Sequence, residues 1–278
     1  CAWMDVACAE TRGVKGRPRC DAQKLLKVIL FAFMEYGICS LREIEKLCRN
    51  DIRFMYLLDG MKAPSFATFG NFIRKELTAS IEQIFKDINA YIFATEQVDL
   101  QHNYIDGTKL EANANRYSWV WKKSCIKNRR KLFEKLTALI DAMNTEVLGY
   151  HQKQYQEMEG YLERLKTYAR HIEICGESRN SYAKTDHDAT FMRLKRDYMG
   201  NDQLLPAYNV QAAICDEYIA VVDVKPYASD QDCFVPLMEK FKELYGHYPK
   251  YPVADAGYGS YNNYLYCEEH GMEKFHHV

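Results

Sequence analysis

The carboxyl-terminal part of the sequence contains the pattern that most restricts its fold: an apolar strand, an amphipathic helix and a second apolar strand. The stretch "YIAVVDV", from Tyr218, is almost continuously apolar, as in a central strand of a sheet. Residues 229–246 then repeat apolar side chains every three or four positions, and "YPVAD", from Tyr251, is the next strand. Two strands linked through one helix run parallel, joined by a right-handed crossover. The pattern therefore predicts an α/β sheet.

A hairpin is predicted directly before this unit. In "AYNVQAAIC" the residues Tyr208, Val210, Ala212 and Ile214 alternate with the others, which is typical of a half-buried strand with these four on one face. Asp216–Glu217 forms a tight turn into the following strand. The sheet should therefore contain an antiparallel pair as well.

Residues 21–98 have the helical period instead. "DAQKLLKVILFAFMEYG" is apolar almost all round and predicts a buried helix that ends at Gly37. Ser40 and Glu43 form a capping box, and Pro64–Ser65 begins another helix. These short helices fit either a helix-turn-helix-like DNA-binding unit or a plain helical bundle. The exposed cations of the DNA-binding interpretation are Arg42, Lys46, Arg49, Arg53, Arg74 and Lys75.

A second helical region, roughly residues 118–174, predicts an antiparallel helical hairpin. Its first helix holds a basic run that includes Lys122, Lys123, Arg129 and Arg130, which suits a phosphate backbone or, alternatively, a solvated helix face. The following "GESRNSYAKTDHDATF" is predicted to be a polar loop, with His187 as a surface residue rather than a metal ligand.

Composition limits the class of protein without deciding its function. The net charge of −1 over 278 residues neither favours nor excludes nucleic acid. Ten cysteines without a C-x-x-C pair indicate reduced, buried thiols of a cytosolic protein and argue against a zinc site. The most apolar run, Leu25–Met34, is too short to span a membrane. Because the chain starts at Cys1 and stops just after an apparent helix, we expect a fragment of a longer protein.

Two strand-borne aspartates are the candidate catalytic residues. Asp106 lies in "NYIDGTKLEANANRY" and Asp255 ends "YPVAD", and each has a glycine close behind it. Ligands bind at the carboxyl ends of strands in open α/β sheets. Two adjacent carboxylates repel unless cations bridge them, and oxygen ligands favour Mg²⁺ or Mn²⁺. The alternative is that Asp106 caps a turn and Asp255 caps the next helix.

The stretches "YIDGTKLEANANRYSWVWKKS", "TDHDATFMRLK" with the following "LPAYNVQAAICDEYIAVVDV", and "VADAGYGSYNNYLYCEEHG" together resemble DDE transposases of bacterial insertion sequences, in the IS4-like group. The helical part before them resembles the domain that precedes the catalytic core in that group. The resemblance implies a mixed α+β and α/β architecture: a helical DNA-binding domain over residues 1–98, then a partial RNase H-like core over 99–278. The hairpin, at about 118–174, would be an insertion into that core.

The resemblance also implies roles for particular residues. Asp106 and Asp255 match the first two acids of the catalytic triad, which bind two Mg²⁺ (or Mn²⁺) ions during DNA hydrolysis at the transposon end and strand transfer by the 3′-hydroxyl. Further DNA contacts are expected at Lys109, Asn113, Arg116, Tyr258 and Ser260.

The third acid of the triad, a glutamate, is expected beyond Val278, and Glu268 and Glu269 lie too early to match it. One of them is a weak substitute ligand at most, so we expect this chain to be inactive although its parent is an enzyme. The alternatives are a two-metal nuclease without strand transfer and a non-catalytic DNA-binding remnant. The expected partners are terminal inverted repeats, target DNA and a second copy of the chain, in the bacterial cytoplasm and away from membranes.

Overall fold

The computed structural model describes residues 20–145, 152–194 and 203–273, which divide into two compact units between Tyr91 and Ile92. The first unit is helical, as predicted. Its elements are α1 (Ala22–Tyr36), α2 (Leu41–Asn50), α3 (Ile52–Leu58), α4 (Phe66–Phe72), a π-helical turn (Ile73–Leu77) and most of α5 (Thr78–Glu96).

Local signals set the ends of these helices. Gly37 follows α1 with a φ of 69°, a conformation that glycine adopts without strain. Ser40 and Glu43 make both hydrogen bonds of the predicted capping box at the start of α2. The Ser65 Oγ atom accepts from the Thr68 backbone N–H at 3.3 Å and begins α4. The sequence therefore predicted these boundaries correctly.

The prediction that α1 is buried all round was wrong. Leu25, Val28 and Ala32 pack into the core of the unit, but Met34 is 73% exposed and Leu30 is 50% exposed. Within the part of the chain that the structure describes, helices α2 to α4 cover one side of α1 only. An apolar sequence shows that a helix can be buried, but neighbours decide which of its faces is buried.

The second unit is built on a mixed five-stranded sheet. Strand β1 (His102–Glu111) lies between β5 (Leu205–Cys215), to which it is antiparallel, and β7 (Tyr251–Ala254), to which it is parallel. Strand β6 (Tyr218–Lys225) pairs antiparallel with β5, and β4 (Thr190–Met192) pairs with the beginning of β5.

Since β6 and β7 both run parallel to β1, the helix between them, α8 (Gln231–Tyr245), completes the predicted parallel crossover. Phe234, Leu237 and Phe241 of this helix are fully buried against the sheet. A short helix, α9 (Tyr261–Glu269), follows β7 and begins at the Ser260 cap. The crossover places the carboxyl end of β7 beside the middle of β1, next to Ile105.

Two features of the sheet differ from the sequence expectations. Strand β6 pairs only with β5 among the described residues, so it is an edge strand rather than a central one. On β5 the fully buried side chains include Asn209, Gln211 and Ala213, whereas the predicted face, from Tyr208 to Ile214, is only half-buried. The apolar alternation identified the strand and assigned the wrong face to the core.

The predicted hairpin consists of α6 (Lys122–Thr145) and α7 (Gln152–Cys175). The start of α6 and the end of α7 meet at a small ladder of β2 (Trp119–Trp121) and β3 (Ser181–Ala183), which confirms that the helices are antiparallel. The segment predicted as a polar loop contains β3 and β4 instead.

The eight cysteines within the described ranges are all free, and six of them are buried, as predicted. Cys39, which lies between α1 and α2, is one of the two half-buried cysteines. Among the described helices, none is both long and apolar enough to cross a membrane. The two chain ends, on which the expectation of a fragment rests, lie outside the described residues.

Candidate functional site

Asp106 and Asp255 lie next to each other where the short strand β7 ends beside the middle of β1. The parallel ladder between β1 and β7 ends at the pair Ile105 and Ala254, and the two aspartates are the next residues of their strands. Neighbouring strands are about 4.8 Å apart. Ile105 and Ala254 are both buried, while Asp106 and Asp255 are both exposed, so both carboxylates leave the sheet on its open face.

Each carboxylate is oriented by a glycine backbone. Asp106 Oδ1 accepts from the Gly107 N–H at 2.8 Å, and Asp255 Oδ1 accepts from the Gly257 N–H at 2.9 Å. The second bond caps a 3₁₀ turn (Ala256–Tyr258), so Asp255 also has the capping role that was the alternative for it. Asp106 lies inside β1 and caps no turn, but in both residues the glycine N–H group occupies one carboxylate oxygen, and the described geometry gives Oδ2 of neither residue a hydrogen bond.

This donor set fits a hard divalent cation. Mg²⁺ is commonly held by one or two carboxylates, with water and substrate phosphate oxygens completing its coordination. In the described residues there is no group of three or more His, Cys, Asp or Glu side chains that could hold a metal ion. Of such side chains in the described residues, an ion at this place would have at most the carboxylates of Asp106 and Asp255 as ligands.

A buried polar network lies on the opposite face of the sheet from the carboxylates of Asp106 and Asp255. The Tyr258 hydroxyl donates to Gln211 Oε1. Gln211 Nε2 in turn donates to Asn209 Oδ1 at 2.8 Å and to Asp230 Oδ1 at 3.2 Å. Asn209 Nδ2 donates to the same Asp230 oxygen at 2.7 Å. Every member of the network is therefore hydrogen-bonded, as buried polar groups require.

Gly107 is the point where this network passes β1. A Cβ atom at Gly107 would lie 2.5 Å from Gln211 Nε2 and 3.0 Å from Tyr258 Oη, which leaves no room for a side chain. The glycine is therefore needed for close packing under Asp106 rather than for approach of a substrate.

Burial raises the pKa of the Tyr258 hydroxyl, and the negative charges of Asp230, Asp106 and Asp255 raise it further. The hydroxyl is consequently a permanent donor near neutral pH. Asn209, Gln211 and Asp230 are site residues that were not predicted from the sequence. The sequence contains one sign of this network: Asn209 and Gln211 place two amides at alternate positions of one strand. Amides are costly to bury without hydrogen-bond partners.

The predicted DNA-contacting residues near Asp106 and Asp255 occupy different surroundings. By strand alternation Lys109 lies on the Gly107 face of β1, away from Asp106. Asn113 and Arg116 are exposed in the segment after β1. Ser260 Oγ accepts from the Asn263 N–H at 3.1 Å and caps α9. Tyr258 is 1% exposed, so the DNA contact expected of it does not fit its burial.

The predicted DNA-contacting cations of the helical hairpin also differ in exposure and in their contacts. Lys122 is half-buried, and its Nζ atom donates to the backbone oxygens of Gly176 and Glu177 at the end of α7. Arg130 Nε lies 3.6 Å from Glu134 Oε1, an exposed pair of little strength. Lys123 and Arg129 are exposed on the same helix. The surface that remains for phosphate therefore centres on Lys123, Arg129 and Arg130.

Ion pairs occupy part of the predicted basic surface of the helical unit. Arg53 contacts the carboxylates of Asp51 and Glu35, and Arg49 contacts Glu45. The Arg42 guanidinium lies over the Phe66 ring, 5.1 Å from its centre. Lys46, Arg74 and Lys75 are exposed. Half of the six cations are thus engaged within the unit, which weakens this surface as a phosphate-binding site.

Glu268 and Glu269 are exposed in the last turn of α9. Glu268 lies seven residues past the start of the helix at Tyr261, so about 10 Å of helix separates it from the loop that carries Asp255. His187 is exposed, as predicted, and its ring lies edge-on to Tyr182.

Comparison with known protein families gave two matches. Residues 3–75 match the family model of a transposase domain (DUF772), and residues 179–274 match the model of the transposase DDE domain. The second match includes Asp255, and Asp106 lies outside both. No curated protein and no solved structure matches the chain. The two matches support a DDE transposase, an enzyme of a family that acts on DNA.

Proposed function

We propose that Asp106 and Asp255 are the first two catalytic acids of a DDE transposase of the IS4-like group, and that together they bind divalent metal. The observation that carries this proposal is their position one residue beyond the paired residues Ile105 and Ala254, on adjacent parallel strands and on one exposed face. The glycine N–H groups account for one oxygen of each carboxylate, but they give no reason for two like charges to lie together.

The strand order supports an RNase H-like core. Strands β1, β5 and β6, in that order along the described sheet, form an antiparallel meander. Helix α8 then leads to β7, which pairs with β1 on the side opposite β5. That arrangement is the one the family resemblance implies, with the hairpin of about residues 118–174 inserted between β1 and β5. We accordingly propose a catalytic core over residues 99–278 and a helical DNA-binding domain over residues 1–98.

The residues of this chain would act by binding and orienting. The Gly107 and Gly257 N–H groups hold one oxygen of each aspartate, which directs the other oxygen outward. When bound there, Mg²⁺ or Mn²⁺ activates the attacking oxygen and stabilises the leaving oxygen of a phosphodiester. Lys123, Arg129 and Arg130 would neutralise phosphates that flank the cleaved bond. As the resemblance implies, the DNA-bound form would be a homodimer on paired transposon ends.

The proposal is tested by cleavage of DNA that carries the two ends of the element. The full-length protein is compared with Asp106→Asn, Asp255→Asn and, as a control, Asp232→Asn, an exposed acid in the first turn of α8. We expect cut and joined products with Mg²⁺ from the wild type and the control, and a loss of at least about a thousandfold in both site variants, since both acids act in one step.

Other outcomes identify the alternatives. Cut ends without joined products would indicate a nuclease that lacks strand transfer. Binding without any cleavage would indicate a DNA-binding remnant. Cleavage by Asp106→Asn or Asp255→Asn at the wild-type rate would contradict the proposed site.

A further inference from the structure

Asp255 lies beyond the last backbone pair of its strand, so its position depends on what holds the loop that follows. The ladder between β1 and β7 ends at Ala254, and residues 255–259 form a short 3₁₀ turn. Within that turn only the Tyr258 side chain is buried. A carboxylate placed in this way can shift relative to Asp106 unless the turn is attached elsewhere.

We propose that Tyr258 is a positioning residue for the aspartate pair: its hydroxyl attaches the loop of Asp255 to Gln211, across the strand that carries Asp106, and so fixes the spacing of the two carboxylates. This inference rests on the proposed function and replaces the DNA contact expected for Tyr258 from the sequence.

The hydrogen bond between Tyr258 and Gln211 spans one complete strand. Gln211 belongs to β5, which is separated from β7 by β1. The two outer strands are about 9.6 Å apart, twice the ordinary spacing between neighbours. The hydrogen bond from Tyr258 to Gln211 covers this distance by passing Gly107, whose missing side chain leaves the space that the two groups fill. The bond therefore joins the turn after β7 to β5 and crosses β1 beside Asp106.

The acceptor is itself held in one orientation. Gln211 Nε2 donates to Asn209 Oδ1 and Asp230 Oδ1, which turns Oε1 towards Tyr258. Asp230 precedes α8, so the network also connects the sheet to the start of that helix. A buried amide with both groups paired has one strongly preferred rotamer.

A second contact secures the same loop from α9. Asn263 Nδ2 donates to the Tyr258 backbone oxygen at 2.8 Å and to the Gln231 backbone oxygen at 3.0 Å. Because Asn263 holds the backbone and Gln211 holds the hydroxyl, removal of the hydroxyl alone should loosen the turn without unfolding the unit.

The test compares Tyr258→Phe with Tyr248→Phe. Both substitutions delete one hydroxyl and keep the ring, and the Tyr248 hydroxyl donates to Glu239 Oε1 at 2.9 Å, on a different part of the unit. The first measurement is Mn²⁺ affinity, by titration calorimetry on the full chain. We expect about a tenfold loss for Tyr258→Phe, as for other residues that orient metal ligands, and wild-type affinity for Tyr248→Phe.

The second measurement needs no metal. The N–H groups of Gly257, Tyr258 and Gly259 are hydrogen-bonded within the turn. Their hydrogen exchange should become at least about tenfold faster in Tyr258→Phe, since local opening is favoured, while the Ala213 amide on β5 changes only in proportion to global stability. The double variant Tyr258→Phe with Gln211→Met should lose no more Mn²⁺ affinity than the worse single variant, because the two groups act as one unit.

The outcomes separate this inference from the proposed function. Mn²⁺ affinity that is insensitive to Asp106→Asn and Asp255→Asn refutes the proposed metal site, and amide exchange then still tests the attachment of the loop. If those aspartate variants lose Mn²⁺ while Tyr258→Phe keeps wild-type affinity and wild-type exchange in the turn, the positioning role is overturned and the metal site stands.

Discussion

Asp106 and Asp255 follow directly on Ile105 and Ala254, the last residues that pair between the parallel strands β1 and β7, and both side chains are exposed on the same face. In an unliganded protein this juxtaposition brings two negative charges together without a neutralising partner in the described contacts. Like charges on adjacent strands repel each other, and a bound cation would offset that repulsion. The two aspartates are neighbours because one crossover, through α8, returns the chain to the side of β1 opposite β5.

Substitution of Gly107 should destabilise the second unit. In Gly107→Ala the new methyl group meets Gln211 Nε2 at 2.5 Å, so the buried amide must move and its hydrogen bonds weaken. We expect a loss of about 1–3 kcal/mol in the free energy of unfolding, measured by urea denaturation. Gly160→Ala is the control, because Gly160 lies within α7 with open space around it. That change should be neutral or stabilise by up to about 1 kcal/mol. Equal effects of the two substitutions would contradict the packing described at Gly107.

The adjacent residues Lys122 and Lys123 should have different roles. Lys122→Ala removes two hydrogen bonds to the backbone oxygens that end α7, so thermal stability should fall while the salt dependence of DNA binding stays unchanged. Lys123→Ala should leave stability unchanged, weaken DNA binding and reduce the salt slope by about 1. Melting curves and DNA titrations at several salt concentrations measure both properties. The assignment is wrong if Lys122→Ala, rather than Lys123→Ala, reduces the salt slope.

Acid should weaken a contact of Glu239, in the middle of α8. Hydrogen bonds from Tyr266 and Tyr248 lower the pKa of the Glu239 carboxyl below its ordinary value. Because the pKa of Glu239 is lower in the folded protein than in the unfolded chain, these hydrogen bonds stabilise the fold fully at pH values above the unfolded-state pKa. Their stabilisation is lost as the pH falls through the folded-state pKa. Because Glu239 is exposed, the effect should be less than about 1 kcal/mol. Unfolding free energies of wild type and Glu239→Gln should converge as pH falls below 4; a constant difference between pH 7 and pH 3 would rule out this contribution.

Thiol labelling should follow burial. Desolvation raises the pKa of Cys48 and Cys267 to about 11 and that of Cys215 and Cys233 to about 12, so few of these groups are thiolates at neutral pH. Iodoacetamide at pH 8 should modify the half-buried Cys20 and Cys39 first and the other described cysteines only after unfolding. Mass spectrometry of peptides identifies the sites, and rapid native labelling of Cys233 would contradict the packing under β5.

Much of the second unit could be predicted from local signals. The turn at Asp216–Glu217, the closing Gly246 and the Ser260 cap each follow from neighbouring residues, so the hairpin, crossover and final helix were identified correctly. The adjacency of β1 and β7 could be expected from the family resemblance, but the register that aligns Asp106 with Asp255 is a long-range property. It is set by the packing of the complete sheet.

The buried face of β5 could not be predicted for a specific physical reason. Hydrophobic alternation favours Tyr208 and Val210 as core residues over Asn209 and Gln211. In the structure these amides are buried because Asp230 and Tyr258, far away in sequence, complete their hydrogen bonds. A similar limit applies to the cations: sequence shows that Lys122 and Arg53 are charged, but only the fold shows that each already has partners.

The most direct test of the account is Mn²⁺ binding by wild type, Asp106→Asn, Asp255→Asn and the Asp232→Asn control, measured by calorimetry at one pH and ionic strength. The account predicts that each site substitution weakens binding at least about tenfold and that the double substitution adds little further loss, because both carboxylates hold the same ion. Affinity that is unchanged in both single variants, or lowered equally by Asp232→Asn, would show that Asp106 and Asp255 are not a metal-binding pair.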